Sequence, residues 1–302
     1  MAILKVIAGK YSAESTERAV LEYMADKDEL FSLLPWEAWQ TNEVSWYRTG
    51  DLPIAQVVDP YGQIPLGTTT GQLVRNKVSM IAMNVDVYDF EVSATKTLID
   101  RAAEKSLAGS EAIVRAFKRL FINGDSTANA LEFDGLRKWV DPSMEVSTGP
   151  NGSPISFDLL DQLLEKFPAT APPDAIIMHS RTYLSFKNLL RTTYVTPTEI
   201  QLANFNRPVL TYNGIPVLRN EYIPTNITKG TSNNCTEIYA VRLGINNVCG
   251  VYLEGMGRAG GVAIENIGKL PDVAATRFRL SWAVSIKVQN KWDVARISGI
   301  TN

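Results

Sequence analysis

The sequence predicts an α+β protein built around one long helix and a β-rich remainder. Residues 93–121 repeat apolar side chains at helical spacing, with charged residues between them. Residues 278–288 alternate strictly between large apolar side chains and polar or small ones, which is typical of a strand with one buried face. Between residues 44 and 72, short β-prone runs are separated by turn sequences, which predicts a long β-hairpin.

The first predicted element is a helix over residues 12–34. Ser12 or Ser15 can cap its N-terminus, apolar residues recur on a helical period, and Pro35 ends it. Two interpretations stay open for this helix. It is either an ordinary surface helix or an arm that packs on a neighbouring subunit.

The predicted hairpin follows, just after the first two of three clustered tryptophans, Trp36, Trp39 and Trp46. Its turn signals lie at residues 49–51, at residues 59–62 and at Gly67, and residues 54–58 form one of the β-prone runs between them. The segment contains few bulky residues that would anchor it to a local core. We therefore expect it to need a partner surface in order to become ordered.

A predicted strand at residues 78–92 leads into the long helix. At 1.5 Å per residue, the helix over residues 93–121 is roughly 42 Å long. Gly109 and Ser110 mark a point where it could bend, and Gly124 follows its end. A helix of this length in a chain of 302 residues predicts a structural spine.

A linker rich in Gly, Ser and Pro at residues 148–154 introduces a second region of α/β character, and after Gly261 the pattern becomes almost wholly β. The predicted helices of this region cover residues 157–167 and 180–190, and its predicted strands cover residues 175–178, 209–212, 215–218 and 238–241.

The charge pattern argues against specific nucleic-acid recognition. The chain has 30 basic and 32 acidic residues for a net charge of -2, and it has no basic stripe of the kind that phosphate binding requires. Weak, non-specific contact with nucleic acid packed nearby is still compatible with this pattern. No apolar run approaches the ~20 residues of a membrane span, and we expect a protein made in a cytoplasm with no membrane partner.

Reactive residues are few. Cys235 and Cys249 are the only cysteines, and we expect free thiols. His179 is the only histidine, so a metal site with two or more His ligands is excluded. Its place at a predicted strand-to-helix junction favours a local hydrogen-bonding role.

Two segments match functional motifs literally. Residues 124–126 read Gly-Asp-Ser, as in the nucleophile block of certain lipases, but position 176, three residues before His179, is Ile. Residues 255–260 match GxGxxG, yet the residues after them alternate like a strand, whereas a dinucleotide site needs a helix N-terminus there. We predict no catalytic residue, no metal and no cofactor.

The segment after the long helix resembles a known family. Residues 122–125 read Ile-Asn-Gly-Asp and residues 132–136 read Glu-Phe-Asp-Gly-Leu. Behind a long helix and a β-rich arm, this block is similar to that of tailed-bacteriophage major capsid proteins, which share the Hong Kong 97 (HK97) fold. Residues 174–179 with the helix after them resemble the strand and helix of that family's axial domain, so the resemblance covers most of the chain.

The resemblance implies four regions and a role in a virion. The chain would be the self-assembling structural protein of an icosahedral head, built from hexamers and pentamers in the host bacterial cytoplasm around double-stranded DNA. Its further partners would be a portal and cement proteins, with a separate scaffolding protein or none, because the arm begins at Met1. The regions are an N-terminal arm (1–40), an extended E-loop (41–77), a peripheral domain (78–149 and 262–302) and an axial domain (150–261).

The expected assembly contacts come from the E-loop, because rigid aromatic side chains dominate protein interfaces. The residues are Trp46, Tyr47, Arg48, Tyr61 and Arg75. For the three aromatic residues, packing within the subunit is the alternative.

The resemblance also bears on covalent bonding, because some members of the family join an E-loop lysine to an asparagine of an adjacent subunit. No lysine lies between Lys27 and Lys77 here, so we expect non-covalent shells. Two alternatives stay open for the function: an encapsulin-like compartment with the same fold and a protein cargo, and a cytosolic α/β enzyme acting through the second region.

Overall fold

The computed structural model describes most of the chain. The described residues are 29–50, 55–59, 61–64, 66–67, 71–95, 98–193, 198–201, 208–255 and 262–301. The predicted helix at 12–34 lies outside them apart from its last turn, where helix α1 spans Glu29–Leu33 and ends before Pro35. Among the described residues, no helix is long and apolar enough to cross a membrane.

The first sheet has five strands arranged around β15 (Ala275–Val288). Strands β4 and β14 pair with overlapping parts of β15, so they lie on opposite sides of it, and β13 pairs with its C-terminal half. Strand β1 extends the sheet by pairing parallel with β13. The bounds are Trp36–Trp39 for β1, Ser79–Tyr88 for β4, Val248–Leu253 for β13 and Ala263–Lys269 for β14.

The long helix packs against this sheet. After the short helix α2 (Asp89–Thr95), helix α3 spans the 26 residues Leu98–Asn123, which confirms the predicted long helix. Phe117 of α3 is fully buried, and its ring centroid lies 5.2 Å from that of Trp282 in β15. A Cβ at Gly109 would lie 3.1 Å from a methyl group of Leu280. Gly109 therefore lets helix α3 and strand β15 approach each other closely. Gly109 was predicted as a possible bend, but α3 is one continuous helix through this position.

The second sheet has nine strands in the order β5-β16-β12-β7-β10-β9-β8, with β6 beside β16 and β11 beside β12. Helices α5 (Phe157–Glu165) and α6 (Ser180–Thr192) belong to this region, and all four residues of β7 are buried. The strands are β5 (Glu145–Ser147), β6 (Ser153–Pro154), β7 (Ala175–Met178), β8 (Thr198–Gln201), β9 (Pro208–Tyr212), β10 (Ile215–Arg219), β11 (Ile227–Lys229), β12 (Ser232–Val241) and β16 (Val294–Thr301).

The chain crosses between the two sheets twice in its last third, which departs from the predicted region boundaries. Strand β13, within the predicted axial region 150–261, pairs in the first sheet, and β16, within the predicted peripheral segment 262–302, pairs with β12 in the second. An apolar strand pattern reports burial but not which sheet the strand joins. The glycine-rich stretch at 255–261 therefore suggested a boundary between the axial and peripheral regions, but the pairing of β13 and β16 does not follow this boundary.

One predicted strand is also too long. The strand predicted over 78–92 ends at Tyr88, where helix α2 begins. Asp89 and Glu91 lie in the first turn of α2, where acidic side chains stabilise a helix. The alternating sequence pattern continues to Phe90, but the strand ends at Tyr88 because a helix begins at Asp89.

Candidate assembly surface

The hairpin that the sequence predicts is present. Strand β2 (Glu43–Thr49) pairs antiparallel with β3 (Gly71–Lys77) in an unbroken register from Glu43 opposite Lys77 to Thr49 opposite Gly71. We call these two strands the root and residues 50–70 the outer part. The described residues of the outer part form no strand. Residues 55–58, which belong to the β-prone run predicted at 54–58, are therefore not a strand.

The inner face of the root is buried in the subunit. Val44 has no exposed surface and Trp46 is 6% exposed. The indole nitrogen of Trp46 donates a hydrogen bond of 2.8 Å to the carbonyl oxygen of Val288. Its ring centroid lies 5.3 Å from that of Trp139. The expectation that the hairpin lacks local anchors is therefore wrong for the root.

Asn76 fixes the second strand of the root to two other elements. Its side-chain nitrogen donates to the carbonyl oxygens of Ile286 at 2.9 Å and Asp134 at 3.2 Å, and its side-chain oxygen accepts from the backbone N–H of Asp134 at 2.9 Å. Asn76 is 3% exposed, so these bonds replace water at a buried amide. No sequence pattern indicates this role, because a lone Asn between charged neighbours resembles a surface residue.

Gly124 and Gly135, in the segment at 122–136 that resembles the capsid family, allow the backbone to reach the position where Asp134 binds Asn76. The backbone N–H of Gly135 donates to the carbonyl oxygen of Gly124 at 2.8 Å. A Cβ at Gly124 would lie 2.2 Å from the carbonyl oxygen of Phe133, and one at Gly135 would lie 2.5 Å from that of Leu120. Side chains are excluded at both positions by this close backbone approach. The block thus presents Asp134 to the hairpin root.

The outer face of the root carries apolar side chains into solvent. Tyr47 and Leu73 are opposite each other in the register and are 53% and 58% exposed. A Cβ at Gly71 would lie 2.2 Å from the Tyr47 ring, so the ring occupies space that only glycine leaves open. This arrangement stiffens an exposed aromatic residue on the surface.

Three apolar side chains in the described residues of the outer part are more exposed still. Tyr61, Ile64 and Leu66 are between 83% and 99% exposed. Of the fifteen large apolar side chains exposed in the described part of the chain, seven lie between Tyr47 and Leu73. Residues 50–70 contain two aspartates and no basic residue. A concentration of exposed apolar surface of this kind marks an interaction site.

The structure divides the five predicted contact residues. Tyr47 and Tyr61 are exposed, and Arg75 is exposed with its guanidinium 3.6 Å from the carboxylate of Glu43. Trp46 is buried in its own subunit, which was the alternative for the aromatic residues. Arg48 also faces inward, where its Nη2 donates to the carbonyl oxygen of Trp139 at 2.9 Å.

The other sequence candidates have local structural roles. His179 caps helix α6, where its Nδ1 accepts from the backbone N–H of Arg181 at 3.0 Å, and burial together with Arg181 lowers the pKa of His179. Cys235 and Cys249 are free and buried. Asp125 of the Gly-Asp-Ser triplet pairs with Lys138 at 2.8 Å.

The strand that the sequence predicts after the GxGxxG match is present. Residues 256–261 lie outside the described part of the chain, but strand β13 precedes them and strand β14 follows them. A dinucleotide site would require a helix in place of β14. Among the described residues, no group of three or more His, Cys, Asp or Glu side chains is arranged to hold a metal ion.

Comparison with known proteins gives matches by structure alone. No family model and no curated protein matches the sequence. The holo-SrpI encapsulin complex of Synechococcus elongatus matches with a TM-score of 0.68 and 19% identity, covering 90% of this chain and 87% of that chain. The capsid of an empty GTA particle matches with a TM-score of 0.65 and 13% identity, covering 91% and 90%. A structure of Mycobacterium phage Bobi matches with a TM-score of 0.61 and 13% identity, covering 89% of each chain.

These similarities confirm the fold that the sequence resemblance implied. The chain has the HK97-like fold, an α+β fold found in phage and GTA capsids and in encapsulin.

Proposed function

We propose that this HK97-fold chain is the major capsid protein of a phage head, assembled without covalent cross-links from hexamers and pentamers around double-stranded DNA. The observation that carries the proposal is the hairpin, which combines a root fixed in its own subunit with an outer part that exposes apolar side chains. A single subunit gains nothing from holding apolar side chains in water. A neighbouring copy that covers them would gain the free energy of their burial.

In this proposal the hairpin is the E-loop, and helix α3 is the spine of the peripheral domain. The region that contains α5, α6 and the second sheet corresponds to the axial domain. The N-terminal arm would cover residues 1–40. The near-neutral charge suits a container, because a strongly basic wall would bind the packaged DNA and hinder its release.

The second candidate is an encapsulin-like compartment with a protein cargo. The observation that favours it is the encapsulin match, whose TM-score of 0.68 exceeds the 0.65 of the GTA capsid. The contents of purified particles decide between the two. Nuclease-protected double-stranded DNA inside the particles supports the phage head, whereas a single co-purifying protein and no DNA supports the compartment.

The absence of cross-links follows from the positions of the lysines. Residues 50–70 contain none, and the Nζ of Lys77, at the root, donates to the carbonyl oxygen of Ala130 in the same subunit at 2.8 Å. The only other basic side chains of the hairpin, those of Arg48 and Arg75, carry guanidinium groups, which are poor nucleophiles. Particles boiled in detergent should therefore give one band at the monomer mass of 33.4 kDa. A ladder of larger species that resists reductant would contradict this, and Lys77 would be the first residue to mutate.

The assembly proposal is tested by sedimentation and electron microscopy of matched variants. Replacing Tyr61, Ile64 and Leu66 together by Ser should abolish particles, because the apolar contact with the neighbour is lost. The control is Leu184→Ser on helix α6, which removes an apolar side chain that is 61% exposed and lies outside the hairpin. Particles from both variants, or a native protein that stays a monomer or dimer under all native conditions, would refute the proposal.

A further inference from the structure

The outer face of the hairpin root is an apolar surface that the described residues of the same subunit leave open. Tyr47 and Leu73 lie opposite each other on this face, and both are more than half exposed. The outer part of the same hairpin does not cover them, because Tyr61, Ile64 and Leu66 are themselves at least 83% exposed. Within one subunit, the two apolar surfaces of the hairpin therefore do not pack on each other.

The outer face of the root is fixed before any partner binds. The Tyr47 ring is confined by the close approach of Gly71, where a Cβ would lie 2.2 Å from it. Strand β3 is bonded through Asn76 to Asp134, which precedes the short helix α4 (Leu136–Trp139). A rigid aromatic side chain on a fixed strand loses little conformational freedom on binding, which favours it as an interface anchor.

The same face is positively charged at the base of the hairpin. Side chains of a strand alternate between its two faces, so Glu43, Arg75 and Lys77 lie on the face of Tyr47. The guanidinium of Arg75 lies 3.6 Å from the Glu43 carboxylate, whereas the Nζ of Lys77 donates to the uncharged carbonyl oxygen of Ala130 at 2.8 Å. Lys77 forms no ion pair with an acidic side chain in the described part of the chain, so the face has a net positive charge.

The outer part of the hairpin has the complementary character. Residues 50–70 contain Asp51 and Asp59 and no basic residue. Asp59 and Tyr61 belong to one turn, where the carbonyl oxygen of Asp59 accepts from the backbone N–H of Gly62 at 2.9 Å and its carboxylate accepts from the backbone N–H of Tyr61 at 3.0 Å. This turn presents a carboxylate and an almost fully exposed aromatic ring together, which matches the basic and apolar character of the outer face of the root.

We propose that the outer part of one hairpin docks on the outer face of the root in a second copy of the chain. The contact buries the exposed apolar side chains of both surfaces and brings the acidic outer part to the side of the root that carries Lys77. Because two different surfaces meet, repetition of the contact by rotation closes a ring, whereas a surface that met itself would stop at a dimer. The inference rests on the proposed function, since it names the surface that receives the hairpin within hexamers and pentamers.

Cross-linking through introduced cysteines tests which surfaces meet. Gln63→Cys marks the outer part and Ser45→Cys marks the outer face of the root, and both positions are exposed in the single subunit. The native Cys235 and Cys249 are fully buried, so they need not be replaced. Particles of the double variant are treated with a flexible bismaleimide, which joins two thiols, and are run on a denaturing gel. We expect a ladder from dimer to pentamer and hexamer, because every copy carries both cysteines.

Controls separate this contact from its alternatives. Gln63→Cys alone should give no cross-link, because two outer parts do not meet, and Gln63→Cys with Asn188→Cys on the exposed side of α6 should give none either. A product that stops at the dimer, a bridge within one chain, or well-formed particles without cross-links would overturn the inference, while the particles themselves still support the proposed shell. Leu73→Ser, which changes only the receiving surface, should prevent assembly without changing thermal stability, and normal particles from it would also overturn the inference.

Discussion

The root and the outer part of the hairpin are one continuous segment of chain with opposite relations to the rest of the subunit. The root buries Val44 and Trp46, and Asn76 is bonded to two other elements. The outer part exposes Tyr61 and Leu66 almost completely. The position of the hairpin is therefore set within the subunit, whereas the outer part has apolar surface that only another molecule can cover.

This difference implies a division of labour that mutations can separate. Changes in the root should act on the stability of the isolated subunit, because its side chains are part of the core. Changes in the outer part should act on assembly and leave the subunit folded. A variant that breaks this pattern would show that the two parts are not independent.

The largest expected effect comes from removing the outer part altogether. Replacing residues 50–70 by Asn-Gly joins Thr49 to Gly71 through a two-residue turn, which fits the register of the root and the twist of its strands. The variant should fold with unchanged thermal stability and form no particles in sedimentation. Particles of normal size from this variant would contradict a role for the outer part in assembly.

The next largest effect is expected at Trp46, and it differs from the effect at the neighbouring Tyr47. Trp46→Ala should lower the free energy of unfolding of the subunit by about 3–5 kcal/mol, since it empties a buried site next to Trp139. Tyr47→Ala should change it by less than about 1 kcal/mol and should weaken assembly instead. Denaturant unfolding and sedimentation of both variants check this. Equal destabilisation by the two would mean that Tyr47 packs within its own subunit.

A smaller effect is expected at Asn76. Asn76→Ala leaves the partly buried backbone N–H of Asp134 without its acceptor and the carbonyl oxygen of Ile286 without a buried hydrogen bond, which should cost about 1–3 kcal/mol of unfolding free energy. Asn84→Ala is the matched control, because Asn84 is exposed on β4 in the first sheet. Denaturant unfolding should show no more than a few tenths of a kcal/mol for the control. Similar losses in both variants would show that Asn76 does not fix the root.

The sequence predicted those features that have a strong local period. Helix α3 and strand β15 were predicted with small errors at their ends, and the hairpin was located by its turn signals. The anchoring of the root was not predictable, because it depends on contacts between Trp46 and residues about 90 and 240 positions away. The assignment of β13 and β16 to opposite sheets was missed for the same reason, since local pattern does not report long-range pairing.

The location of the assembly surface on the hairpin was predicted, but not all of the residues that form it. The sequence placed assembly contacts on the hairpin, and Tyr47 and Tyr61 are indeed exposed there. It could not separate them from Trp46, because the alternation along β2 shows two faces but not which of them meets the core. Side chains such as Ile64 and Leu66 were missed, since isolated apolar residues in a turn-rich segment give no periodic signal.

The role of the outer part in assembly is best tested by measuring protection of residues 50–70 in free subunits and in assembled particles. Limited proteolysis and hydrogen exchange report on this segment, with residues 43–49 of the root as the internal control. We expect rapid cleavage and exchange of the outer part in free subunits, strong protection of it in particles, and a root that is protected in both. Equal resistance of the outer part in both states would mean that the hairpin packs on its own subunit and would refute a role for it in assembly.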